Sequence, residues 1–168
     1  MIERIIVLPR WRAESLDLNQ RCRLISITDP APFGQPAAIK PRWCLDMDKD
    51  LLRLAFDDVE TCSDFGGHTM YPITAQHGLE IAGFAASCPH PVLVIHCEAG
   101  VSRSPSAALA IADSMSISHD RIEWDGFSDS CPRSKSFPPN HRVYRAVLAG
   151  FSQPSMTASP TEQDSSHS

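Results

Sequence analysis

Residues 96–104 read His-Cys-Glu-Ala-Gly-Val-Ser-Arg-Ser, with five residues between a cysteine and an arginine. An apolar run over residues 92–95 comes just before, and an alanine-rich run of helix formers over 105–112 comes just after. A buried strand, a tight loop and a helix N-terminus are therefore expected to meet at one thiol and one guanidinium. A helix N-terminus carries unpaired N–H groups and partial positive charge, so it binds phosphate. The loop Glu98, Ala99, Gly100, Val101, Ser102 is expected to curl round an anion with successive N–H groups inward, and Gly100 supplies the permissive backbone. The same positive field favours the thiolate of Cys97, which is the nucleophile. Arg103 offers a permanently charged planar fork that matches two phosphoryl oxygens, which lysine lacks. Ser104 could give its hydroxyl to the sulfur and ease its departure from a phosphocysteine. The predicted chemistry is nucleophilic phosphoryl transfer, with Cys97, Arg103 and Ser104 as acting groups and residues 98–103 as the phosphate cradle.

Taken singly, each residue has a plainer explanation: a cysteine is often a small buried hydrophobe, and an arginine at a helix start is often a surface charge. The spacing, set between strand and helix, is what carries the chemistry. At this point the chain resembles the cysteine-dependent protein tyrosine phosphatase superfamily, particularly its compact dual-specificity-like bacterial and phage branch. The resemblance rests on His96 to Ser104, extends to Leu52-Arg53-Leu54-Ala55-Phe56-Asp57-Asp58-Val59 and to Pro139-Asn140-His141-Arg142-Val143-Tyr144-Arg145, and covers about residues 3–151.

The resemblance implies a general acid, an aspartate on a loop after a strand upstream of the cysteine. Residues 51–56 read as a short buried strand, and ligands in open α/β sheets gather at the carboxyl ends of strands. Asp58 fits the family register best, and Asp57 and Asp64 are its rivals. The acid protonates the leaving oxygen, then as a carboxylate takes a proton from the water that hydrolyses phosphocysteine. His96 is not expected to be a base, because strand alternation points it away from the Cys97 side; the resemblance gives it a supporting role. The phosphocysteine route needs no metal or other cofactor, and none of the remaining histidines has metal-ligand spacing. The loop lacks lysine, which disfavours polyanionic inositol lipids, and Glu98 is expected to repel highly acidic phosphopeptides.

The elements that must position these groups follow from pattern. Strands are expected at 4–8 and 23–28, the latter ending at the turn signal Asp29-Pro30. A proline-rich loop follows, then a segment over 43–49. Residues 59–71 are polar, contain Gly66-Gly67 and read as a mobile loop that closes over substrate. A helix is expected over 72–86, with Ile73, His77, Ile81 and Phe84 near one face. A turn or two of helix at most is expected around 121–127. Asn140 is expected to cap a final helix over 141–151 that packs Val143, Val147 and Leu148 inward. Strands alternating with helices predict a single α/β domain over 1–151, a central, mainly parallel sheet flanked by helices; the resemblance implies that this sheet is of the tyrosine-phosphatase-like kind. The serine-, proline- and threonine-rich tail over 152–168 is expected to be disordered.

At 168 residues the chain suits one such domain. The net charge of −5, without a basic cluster, argues against nucleic acid and against a polybasic membrane anchor. No apolar run has transmembrane length, and the start lacks a secretory pattern. Six irregularly spaced cysteines suggest a reducing cytoplasm, in which Cys97 is expected to be an exposed, readily alkylated thiolate. The expected partner is a phosphorylated protein, with phosphotyrosine ahead of dual specificity, or a small phosphate ester. Two other readings stand beside this one: a phosphotyrosine-binding pseudophosphatase, and an RNA 5′-triphosphatase-type relative, which the acidic charge and the presence of Asp58 disfavour.

Overall fold

Apolar residues fill both faces of three strands in the computed structural model, which describes residues 1–15, 21–30, 49–125 and 140–153. These are β1 (Arg4–Pro9), β2 (Cys22–Thr28) and β6 (Val92–Cys97), each buried almost end to end. Near-continuous hydrophobicity marks strands covered on both sides, as parallel sheets require. The sheet has the order β3-β2-β6-β1-β7, with β3 (Leu51–Ala55) and β7 (Ile122–Trp124) at its edges, and every pairing in it is parallel. β6 is inserted between β1 and β2. The loops leaving all three strands, and the loop leaving β3, therefore emerge along one edge of the sheet.

Alternation sorts the side chains. Ile5, Val7, Ile25, Ile27, Leu93, Ile95 and Cys97 face the layer formed by α2 (Ala75–Ala86), α3 (Arg103–Met115) and α4 (His141–Ser152). Ile6, Leu8, Leu24, Val92 and Val94 face the opposite side with Ala13 of the short helix α1 (Arg10–Ser15). The described residues thus form one α/β domain, as expected, and α4 ends one residue beyond the predicted helix.

Four expectations are corrected. The strand at β3 is a half-exposed edge strand rather than a buried one; an apolar run of two or three residues does not distinguish edge from centre. Residues 59–71 contain an antiparallel hairpin, β4 (Ser63–Phe65) and β5 (His68–Met70), instead of a loop. Gly66 and Gly67, at φ +57° and +82°, supply the two positive φ values its turn demands. Downstream, a 3₁₀ turn at His119–Arg121 leads into strand β7 where helix was expected. The helix expected from 72 starts at Ala75, because Thr74 caps it: its hydroxyl accepts from His77 N–H, and the His77 ring accepts from Thr74 N–H. The segments over 31–48 and 126–139 and the tail from 154 lie outside the described residues.

Helices α2 and α4 approach closely through small residues. A Cβ on Gly78 would stand 2.2 Å from the Ala146 carbonyl oxygen, and one on Gly150 2.4 Å from that of Gly78. Neither neighbour is a side chain that can swing aside. Gly78→Ala is therefore expected to destabilise the fold by about 2 kcal/mol or more through overpacking, read by urea denaturation. Gly83→Ala on the same helix meets nothing within 4 Å and should be stabilising by up to about 1 kcal/mol. Equal effects at the two glycines would refute the close-approach argument.

Candidate active site

β6 delivers Cys97 to the carboxyl edge of the sheet, the chain reverses through Gly100 at φ +74°, and α3 starts at Arg103. Cys97 is not exposed as expected: it is 2% accessible and forms the floor of the loop, whereas Ala99 and Val101 lie exposed on it. Two donors converge on its sulfur, the Gly100 N–H at 3.2 Å and the Ser104 hydroxyl at 3.1 Å. Ser102 occupies the N-cap position of α3, yet its hydroxyl donates to Asp58 Oδ1 at 2.6 Å and caps nothing. The leading N–H groups of α3 are thereby left for an anion.

Arg103 is buried at 4% exposure. One terminal nitrogen donates to the Phe56 carbonyl at 2.6 Å and the other pairs with Asp29 at 2.7 Å. Its Nε–H is buried without a partner among the described residues. An unmet donor on a buried cation is costly unless a ligand accepts from it. Phe56 is itself fixed, fully buried and stacked on His77 with ring centroids 5.3 Å apart. Asp29, read from sequence only as a turn former, is thus a member of the site. In a parallel sheet the residue after β2 shares an edge with the residue after β6, and this is the one signal that pointed to it.

The three candidate acids separate by their contacts. Asp57 is buried, accepts from the Tyr71 N–H at 2.7 Å through Oδ2, and donates its own N–H to the Tyr71 carbonyl, which closes the base of the hairpin segment. Asp64 accepts from the Thr69 hydroxyl across the hairpin. Asp58 alone of the three bonds the cysteine loop. Its Oδ1 accepts from Ser102 and, at 2.9 Å, from Asn140 Nδ2. Oδ2 has no hydrogen-bond partner among the described residues.

Glu98 stands at the loop's start, half-buried, with its carboxylate on Arg10 at 3.1 Å and its carbonyl on the Arg10 N–H. Its charge is met within the protein, which weakens the expected repulsion of acidic substrates. Among the described residues no group of three His, Cys, Asp or Glu side chains could hold a metal ion, and no helix is long and apolar enough to cross a membrane. No protein-family model matches the chain, and no curated protein matches it.

His96 points to the opposite face from Cys97, as alternation predicts, and its Nε2 lies 2.8 Å from the Ser26 hydroxyl. Burial pushes its pKa down from 6.5 to about 4, so at neutral pH it is an uncharged interior support. Between those two values the unfolded chain binds more protons than the folded one. Stability is therefore complete above pH 6.5 and is lost as pH falls toward 4, by on the order of 3 kcal/mol from this group. Denaturation curves across that window should show a shallower pH dependence in His96→Gln than in the wild type. Parallel slopes would mean that the imidazole is not held neutral.

Proposed function

We propose that the protein is a cysteine-dependent phosphatase acting on phosphate monoesters, with phosphotyrosine as the favoured substrate class. The observation that carries this reading is the Cys97 sulfur at the base of the loop, accepting from Gly100 N–H and Ser104 hydroxyl together. Such donors stabilise sulfur anion both as nucleophile and as leaving group. The buried Nε–H of Arg103 and the uncapped start of α3 supply donors for the equatorial oxygens.

In the first step the Cys97 thiolate attacks phosphorus in line with the ester oxygen. The S–P bond forms as the P–O bond breaks, and Asp58 passes its proton from Oδ2 to the departing oxygen. In the second step Asp58, now a carboxylate, takes a proton from a water that attacks phosphorus. The S–P bond breaks, the electron pair returns to Cys97 under the Ser104 hydroxyl, and inorganic phosphate leaves. Exposed Val101 and Tyr71 belong to the two segments that border Cys97 and Asp58, and such apolar surface suits an aryl ester better than a short alkyl one.

Hydrolysis of 4-nitrophenyl phosphate and of phosphotyrosine peptides tests the reading. Cys97→Ser should fall to background, Arg103→Lys should lose about 100-fold or more in kcat/KM, and Asp58→Asn should lose about 100-fold, against little change for Asp57→Asn or Asp64→Asn in folded protein. Full activity in Cys97→Ser would sink the proposal. Phosphotyrosine binding without turnover by the wild type would leave a binding module in its place.

A further inference from the structure

Asn140 is buried at 3% exposure; its carbonyl accepts from the Tyr144 N–H within α4, and three further hydrogen bonds leave it in three directions. Its backbone N–H donates to the Ser106 hydroxyl of α3 at 2.8 Å. Its side-chain oxygen accepts from the Val143 N–H at 3.0 Å and caps α4. Its Nδ2 donates to Asp58 Oδ1. The second contact dictates the third: an amide whose oxygen must face a helix N–H presents its NH₂ on the other side. Two residues beyond Asp58, the Glu60 carboxylate accepts from the N–H groups of His141 and Arg142, at 2.7 and 3.1 Å. Arg142 returns donors to the carbonyls of Glu60 and Ile73. The segment 58–60 is thus fastened to the first turn of α4 at both its carboxylates, where the helix dipole also favours negative charge.

We infer that Asn140 is a positioning residue for the general acid. By occupying Oδ1 together with Ser102, it holds the Asp58 carboxyl in one rotamer with Oδ2 turned outward for proton transfer. Through it, the N-terminus of α4 sets the acid against the loop that α3 starts. This inference rests on the phosphatase reading and on Asp58 as its acid.

Asn140→Ser separates the two duties of the side chain. Serine caps a helix as well as asparagine does, but is too short to bridge to Asp58. The informative quantity is the ratio of kcat/KM for 4-nitrophenyl phosphate, whose leaving group depends little on an acid, to that for phenyl phosphate, whose leaving group depends on it strongly. Asn140→Ser is expected to raise this ratio about tenfold, in the same sense as Asp58→Asn. In the Asp58→Asn background it should add less than about twofold, because residues acting as one unit are not additive. A general loosening of the fold would depress both substrates alike and add in the double variant. If Asn140→Ser proves unfolded by thermal denaturation, the near-isosteric cap Asn140→Asp decides; it sets a carboxylate against Asp58 and must shift the ratio the same way. A wild-type ratio in the folded variant, with Asp58→Asn still altered, overturns the role of Asn140 alone. Absence of Cys97-dependent hydrolysis in the wild type overturns the phosphatase reading and this inference together.

Discussion

The site depends on the burial of a helix N-terminus. α3 is buried along its first ten residues, from Arg103 to Ala112, so its leading N–H groups and the positive end of its dipole face the loop rather than bulk water. Such an end demands negative charge, and low effective dielectric makes the demand stronger. The Cys97 sulfur lies at that end, accepting from the Gly100 N–H and the Ser104 hydroxyl. Asp29 compensates the buried positive charge of Arg103 from the far side. Alanines and serines make this burial possible, since a helix of larger side chains would not fit between the sheet and α4.

The Asp58 side of the site is organised by a different contact, the glycine-mediated packing of α2 on α4. Gly78 and Gly150 let the two helices meet backbone to backbone. That approach places the N-terminus of α4 beside the 58–60 segment, with the Arg142 side chain reaching the Ile73 carbonyl just before the α2 cap. Ser106 bonds the Asn140 N–H and so ties α4 to α3.

Legibility from sequence followed the range of the interactions. The β6–loop–α3 unit was readable because its residues are contiguous, and the orientation of His96 followed from the two-residue period of a strand. The α4 cap was readable because an N-cap is local. The hairpin was missed, although Gly66-Gly67 is a turn signal, because its strands are three residues long and exposed, with no apolar alternation to mark them. β7 failed in the same way: Ile122–Trp124 is a strand only because β1 offers it an edge. The pairing of Asp29 with Arg103 and the bond from Asn140 to Asp58, 82 residues apart, depend on the order of the whole sheet, which no local pattern encodes. Asp57 and Asp58 are adjacent and alike in type; only the placement of Ser102 and Tyr71 distinguishes the loop-facing one from the hairpin-closing one.

The central claim is that Cys97 becomes covalently phosphorylated during turnover. The most direct measurement is mass analysis of peptides from protein denatured within milliseconds of mixing with excess 4-nitrophenyl phosphate. A transient gain of one phosphoryl group on the peptide carrying Cys97, absent in Cys97→Ser, is the predicted result. Turnover with Cys97 unmodified throughout, or with the phosphoryl group on another residue, would contradict it.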